Sequence, residues 1–190
     1  MKILIAAMGR TGSHLLQHIV EDLRIGDVRH ANHKTNNNLF TWADVVVSTK
    51  RDMREQIAST VRTMKVQGLN HRYSGNNTLI QELDMSMNTY NFWKDKVNKT
   101  FCIEDWHSNP KKYIQEILNY FKLEKTNKEI QTIVEKFYSK EVIPKHITCN
   151  NEIMTYKKTL NKQEIDVIMK YFKEKYYNNF QEFIYLEHYI

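Results

Sequence analysis

The chain has 190 residues, 41% of them hydrophobic and 26% charged, the balance of a folded domain large enough to bury a core. Five glycines and two prolines exclude a loop-rich or low-complexity chain, and no run approaches the ~18 apolar residues that a membrane-spanning helix needs. The formal net charge of +6 and pI of about 9.1 suit an anionic ligand, but the cations form no stripe with interleaved aromatics, which argues against nucleic acid as the partner. Cys102 and Cys149 have neither metal-ligand spacing nor a disulfide framework and are expected as reduced thiols. The N-terminal apolar run is too short for a signal peptide, so a cytoplasmic protein is expected.

The first element carries the strongest signal. In KILIAAMGRTGSHLL (2–16), an apolar run of strand length over 3–8 is broken by Gly9-Arg10-Thr11-Gly12-Ser13. Leu15, Leu16, Ile19, Val20 and Leu23 then recur at helical spacing, predicting a helix over about 13–24 with Gly26 as its C-terminal glycine. Strand, Gly-rich turn and helix is the layout of a phosphate-binding loop. A helix N-terminus offers unpaired N–H groups and partial positive charge to an anion, and Arg10 adds a forked cationic donor. The loop is not a Walker A motif: two residues rather than four separate Gly9 from Gly12, and no Lys follows.

A short strand is expected within 27–34, a turn at Asn36-Asn37-Asn38, and a β-branched strand over 43–49 that ends in Lys50-Arg51-Asp52. Asp52 and Glu55 resemble a capping box, opening a helix with Met53, Ile57, Val61 and Met64 on its apolar stripe. Residues 67–77 read as surface loop and 78–97 as helix. A strand over 100–103 ends at Glu104-Asp105. Asn109-Pro110 starts the next helix, and the pairs Thr126/Glu129 and Asn161/Glu164 mark two more helix starts. Residues 142–160 look irregular and basic. Alternating strands and helices predict an α/β domain with a short parallel sheet, although the 34–43 connection is short for a crossover between adjacent parallel strands.

A second anion-binding stretch is VVVSTKRDMREQIAST (45–60). A strand delivers Arg51 to the sheet's C-terminal edge, where open α/β sheets bind ligands, and Ser59 follows on the capped helix.

In that order, Arg10-Thr11-Gly12-Ser13 resembles the 5'-phosphosulfate loop, and Arg51 with Ser59 the 3'-phosphate loop, of the sulfotransferases that use 3'-phosphoadenosine 5'-phosphosulfate. The segments FCIEDWHSNPKKYIQEILNYFKL (101–123) and ITCNNEIMTYKKTLNKQEIDVI (147–168) resemble two further stretches of that family, with Tyr156-Lys157 standing for its Trp-Lys. Met53, Leu15 and Ile103 replace its common Pro, Trp and Tyr, and its C-terminal Arg-Lys-Gly clamp has no clean counterpart. The resemblance implies one domain over 1–190, with a short central parallel sheet flanked by helices in a P-loop NTPase-like three-layer architecture and a helical C-terminal part.

It further implies transfer of a sulfuryl group to an acceptor hydroxyl or amine on a small molecule or saccharide, with adenosine 3',5'-bisphosphate as product and no metal. Donor-binding residues would be Gly9, Arg10, Thr11, Gly12, Ser13, His14, Arg51 and Ser59, with Arg10 also stabilising the leaving group. His33 is the favoured general base, since histidine titrates near neutrality. His30 is the next candidate, then Glu82 or Glu104. The competing readings are a P-loop-like nucleotide or nucleoside kinase and a non-catalytic nucleotide-binding module.

Overall fold

The computed structural model describes residues 1–31, 37–69, 72–138 and 156–186. Four strands form one parallel sheet: β1 (Lys2–Ile5), β2 (Asp27–His30), β3 (Val45–Lys50) and β4 (Lys99–Cys102), in the order β2-β1-β3-β4. Register pairs Ile5 with both His30 and Val47, so all four strands end along one edge. β1 and β3 are central, which is why their sequences are apolar on both faces. Ile3, Ile5, Val47 and Phe101 point to one side, and Leu4, Ala6 and Val46 to the other. β1 lies between β2 and β3, so the ends of β2 and β3 stand about 10 Å apart. Leu39, Phe40 and Trp42 of the 31–44 connection pack against the core cluster that contains Trp93.

The Ile3 side is covered by α1 (Ser13–Asp22), α5 (Pro110–Phe121) and α6 (Asn127–Tyr138). A second helical cluster builds on α2 (Met53–Val66), α3 (Asn76–Trp93), α7 (Tyr156–Thr159), α8 (Lys162–Lys175) and α9 (Phe180–Phe183). It holds Leu83, Tyr156, Phe172 and Phe183 and reaches the sheet edge at Met8. A short α4 (Ile103–Ser108) follows β4 directly. The architecture is the α/β arrangement expected, with a parallel sheet between helical layers.

Several boundaries differ for local reasons. The first helix ends at Asp22, and Arg24 rather than a glycine takes the left-handed conformation (φ 54°). Gly26 is needed for closeness instead: a Cβ there would stand 2.3 Å from the Met1 carbonyl oxygen. β4 stops at Cys102, so Ile103 and Glu104 belong to α4 rather than to a strand end. Asn161/Glu164 forms a complete capping box, and Thr126/Glu129 exchanges reciprocal bonds as expected. Asp52/Glu55 does not. Asp52 Oδ1 does accept from the Arg54 N–H at 3.0 Å, but the Asp52 N–H donates to Glu104 Oε1 at 3.0 Å. Glu55 is drawn away to cations and to a distant backbone amide.

Candidate functional site

The parallel strands bring the loops after β1 and β3, the end of β2 and the start of α4 to one edge. The β1 loop enters α1 through Gly12, at φ 85°, and no side chain caps the helix. A Cβ at Gly12 would lie 2.5 Å from Ile103 Cδ1, so α4 packs directly against the loop backbone. Arg10 also has positive φ, 64°, which a non-glycine residue adopts at a cost of about 1–2 kcal/mol. The fully buried Thr11 hydroxyl donates to the Met8 carbonyl at 2.9 Å and accepts from Thr49 Oγ1 at 2.8 Å. That hydroxyl braces the loop against β3. Of the loop groups expected to face a ligand, Thr11 can therefore offer its amide but not its hydroxyl.

Three guanidiniums meet beside this loop. Arg10 Nε donates to Ser59 Oγ at 3.2 Å, joining two positions 49 residues apart. Arg51 Nη1 donates to the Arg10 carbonyl at 3.4 Å and Arg51 Nη2 to Glu55 Oε2 at 3.3 Å; both bonds are long. Arg51 Nε is buried without a partner among the described residues. The third guanidinium is Arg62, 3.8 Å from Glu55 Oε2. Burial and then the charges of Arg51 and Arg62 hold the Arg10 pKa below its ordinary value. Arg51 and Arg62 share the Glu55 carboxylate while Arg10 is paired with no acid among the described residues, a local excess of cations that suits a polyanion.

The neighbouring acids are committed to scaffolding. Glu104 is 2% exposed and accepts from the Asp52 N–H, Tyr185 Oη and Cys102 Sγ. Burial pushes its carboxyl pKa up, opposed by Arg51 and these bonds. Its oxygens thereby tie α2 and Tyr185 to the start of α4. Glu82, half-buried on α3, also has its pKa raised by burial.

Arg10, Gly12, Ser13, His14, Arg51 and Ser59 thus gather at one edge with Gly9. His30, at the end of β2, stacks on His14 of the first α1 turn with ring centroids 4.3 Å apart. His33 lies outside the described residues. Sequence reasoning missed Arg62 and His107. Arg62 stands three residues beyond Ser59, a same-face helical spacing that was available as a signal. His107 on α4 carried none. Its Nδ1 is buried without a partner among the described residues, and burial, then Arg51, lower its pKa to about 4.

A cavity of about 310 Å³ opens on the β3–β4 side of the sheet, lined in part by Met8, Thr49, Lys50, Tyr90 and Phe183. Among the described residues no helix is long and apolar enough to cross a membrane, and no His, Cys, Asp and Glu side chains group to hold a metal ion.

No family model and no curated protein matches the sequence. The structure is similar to the crystal structure of mouse sulfotransferase SULT7A1 complexed with PAP. The match has a TM-score of 0.65 at 13% identity and covers 100% of this chain and 89% of that one. The chain has a sulfotransferase-like fold.

Proposed function

We propose that the chain is a sulfotransferase that moves the sulfuryl group of 3'-phosphoadenosine 5'-phosphosulfate to an acceptor hydroxyl or amine. The observation that carries this reading is the Arg10–Ser59 bond. It draws the β1 loop and the Arg51 loop into one cationic site, as a nucleotide with phosphates at both ends requires. The fold's likeness to a sulfotransferase crystallised with PAP supports the same ligand class.

In this reading the 5'-phosphosulfate lies on the N-terminus of α1 and on Arg10, and Arg51 and Ser59 hold the 3'-phosphate. The acceptor oxygen attacks sulfur in line with the leaving phosphate oxygen. One S–O bond forms as the other breaks, and the leaving oxygen gains charge that Arg10 and the loop amides stabilise. The acceptor's proton passes to a base, assigned to His33, with His30 beside the loop as the next choice.

Ligand-induced thermal stabilisation is the first test, followed by acceptor screening with labelled donor. Adenosine 3',5'-bisphosphate should raise Tm far more than ATP with Mg²⁺. The opposite order would point to a kinase-like site. Stabilisation by the bisphosphate with no turnover on any acceptor would leave a binding module.

A further inference from the structure

Arg62 has no part in the donor site proposed above, yet the fold holds it in place from two sides. It lies one helical turn past Ser59 on α2, on the same face. Its Nη1 donates to Thr159 Oγ1 of α7 at 2.7 Å, and its Nη2 stands 3.8 Å from Glu55 Oε2. Glu55 is itself 2% exposed and fixed, with Oε1 accepting the Tyr156 N–H at 2.8 Å and Oε2 facing Arg51 at 3.3 Å. One carboxylate therefore orients two guanidiniums, and α7 clasps the second from its far side.

This arrangement costs free energy. Burial lowers the Arg62 pKa, Glu55 opposes that, and Arg51 lowers it further. A plain clasp between α2 and α7 would not need its cation beside two others. A pre-oriented cation in a cluster with excess positive charge is what a phosphate dianion uses.

We propose that Arg62 is a third ligand of the donor's 3'-phosphate. It would act with Arg51 and Ser59, so that selection for a 3'-phosphorylated nucleotide is built along one face of α2. The inference rests on the sulfotransferase reading.

The test is calorimetric titration of adenosine 3',5'-bisphosphate and adenosine 5'-monophosphate into wild type, Arg62→Gln, Arg62→Ala and Thr159→Val. Glutamine keeps a donor for Thr159 and much of the stem but removes the charge, so it guards against unfolding in the alanine variant. Arg62→Gln should weaken bisphosphate binding about tenfold or more and monophosphate binding less than about twofold. Thr159→Val should lower Tm while keeping the preference for the bisphosphate. Equal loss for both nucleotides in Arg62→Gln, or loss for neither, would reduce Arg62 to a clasp and overturn the inference alone. A wild type that does not prefer the bisphosphate would overturn the sulfotransferase reading and this inference with it.

Discussion

Removal of Arg10 separates ligand binding from structural support. Its guanidinium is half-buried and bonded to Ser59 Oγ at 3.2 Å, with Arg51 and Arg62 as charged neighbours. Arg10→Ala deletes one hydrogen bond to a hydroxyl, a net loss of about 0.5–1.5 kcal/mol. It also removes burial of a charge and repulsion from two cations, which act in the opposite direction. The positive φ cancels in the comparison, because alanine bears the same left-handed cost as arginine. Stability should therefore change by less than about 1 kcal/mol, or about 2–4 °C in Tm for a chain of this size. Ligand effects should be much larger. Losing a charged donor to phosphate costs about 1.5–3 kcal/mol, roughly 10- to 150-fold in affinity for adenosine 3',5'-bisphosphate. Losing charge stabilisation of the leaving group should lower kcat by about 10²-fold or more. The assay pairs thermal melts, with and without nucleotide, with turnover of labelled donor. Wild-type turnover in the folded variant would refute the assignment. A Tm drop several times larger than 4 °C, with kcat intact, would mark Arg10 as a brace.

Gly12→Ala forces a Cβ to within 2.5 Å of Ile103 Cδ1 at φ 85°; left-handed strain and overpacking together should cost about 2–4 kcal/mol, and an unchanged melt would contradict the loop–α4 packing. His107 is held neutral, with a pKa of about 4 against 6.5 when unperturbed, so between those values the unfolded chain binds more protons than the folded one. Stability should fall by about 2 kcal/mol from pH 7 to pH 5 on its account, and urea titrations of His107→Gln should lack that component. A nucleotide phosphate on Arg51 should raise the His107 pKa, which NMR titration can follow; no movement would place the anion elsewhere. His33→Asn should lower turnover about 10²–10⁴-fold with donor affinity kept, and near-normal rates would move the base to His30.

Much of the sheet was legible because apolar runs and turn signals coincide. The 3–8 and 43–49 runs are β1 and β3 with their flanks, and Asn109-Pro110, Thr126/Glu129 and Asn161/Glu164 mark real helix starts. Asp52 opens α2 as expected, but the Glu55 half of the box fails because a local spacing cannot reveal a distant competitor. The carboxylate that serves the Asp52 amide comes from Glu104, and the amide that recruits Glu55 comes from Tyr156. Arg10 and Ser59 could be singled out separately, but not their contact, which depends on β1 and β3 being neighbours. Arg62 escaped because a cation on an amphipathic helix ordinarily faces solvent, and only α7 shows that this one does not.

Three buried carboxylates tie the C-terminal part of the chain to this edge. Asp52 accepts from the Arg54 guanidinium at 2.9 and 3.0 Å and from the N–H groups of Tyr185 and Leu186 at 2.9 and 3.0 Å. Glu104 holds the Asp52 N–H and the Tyr185 hydroxyl, and Glu55 the Tyr156 N–H with Arg51 and Arg62. Each acid ties a C-terminal segment to the sheet edge through donors that it saturates, as a buried carboxylate must. Arg54 is consumed in the same way, capped by Asp52 and stacked over the Tyr156 ring at 4.8 Å. Arg10, Arg51 and Arg62 are less fully satisfied: their bonds are to hydroxyls, a carbonyl and one shared carboxylate. The division of labour follows from this difference. Acids and Arg54 build the wall, while the three remaining guanidiniums keep donor capacity. On the β2 side of the same loop, His30 and His14 stack with ring centroids 4.3 Å apart.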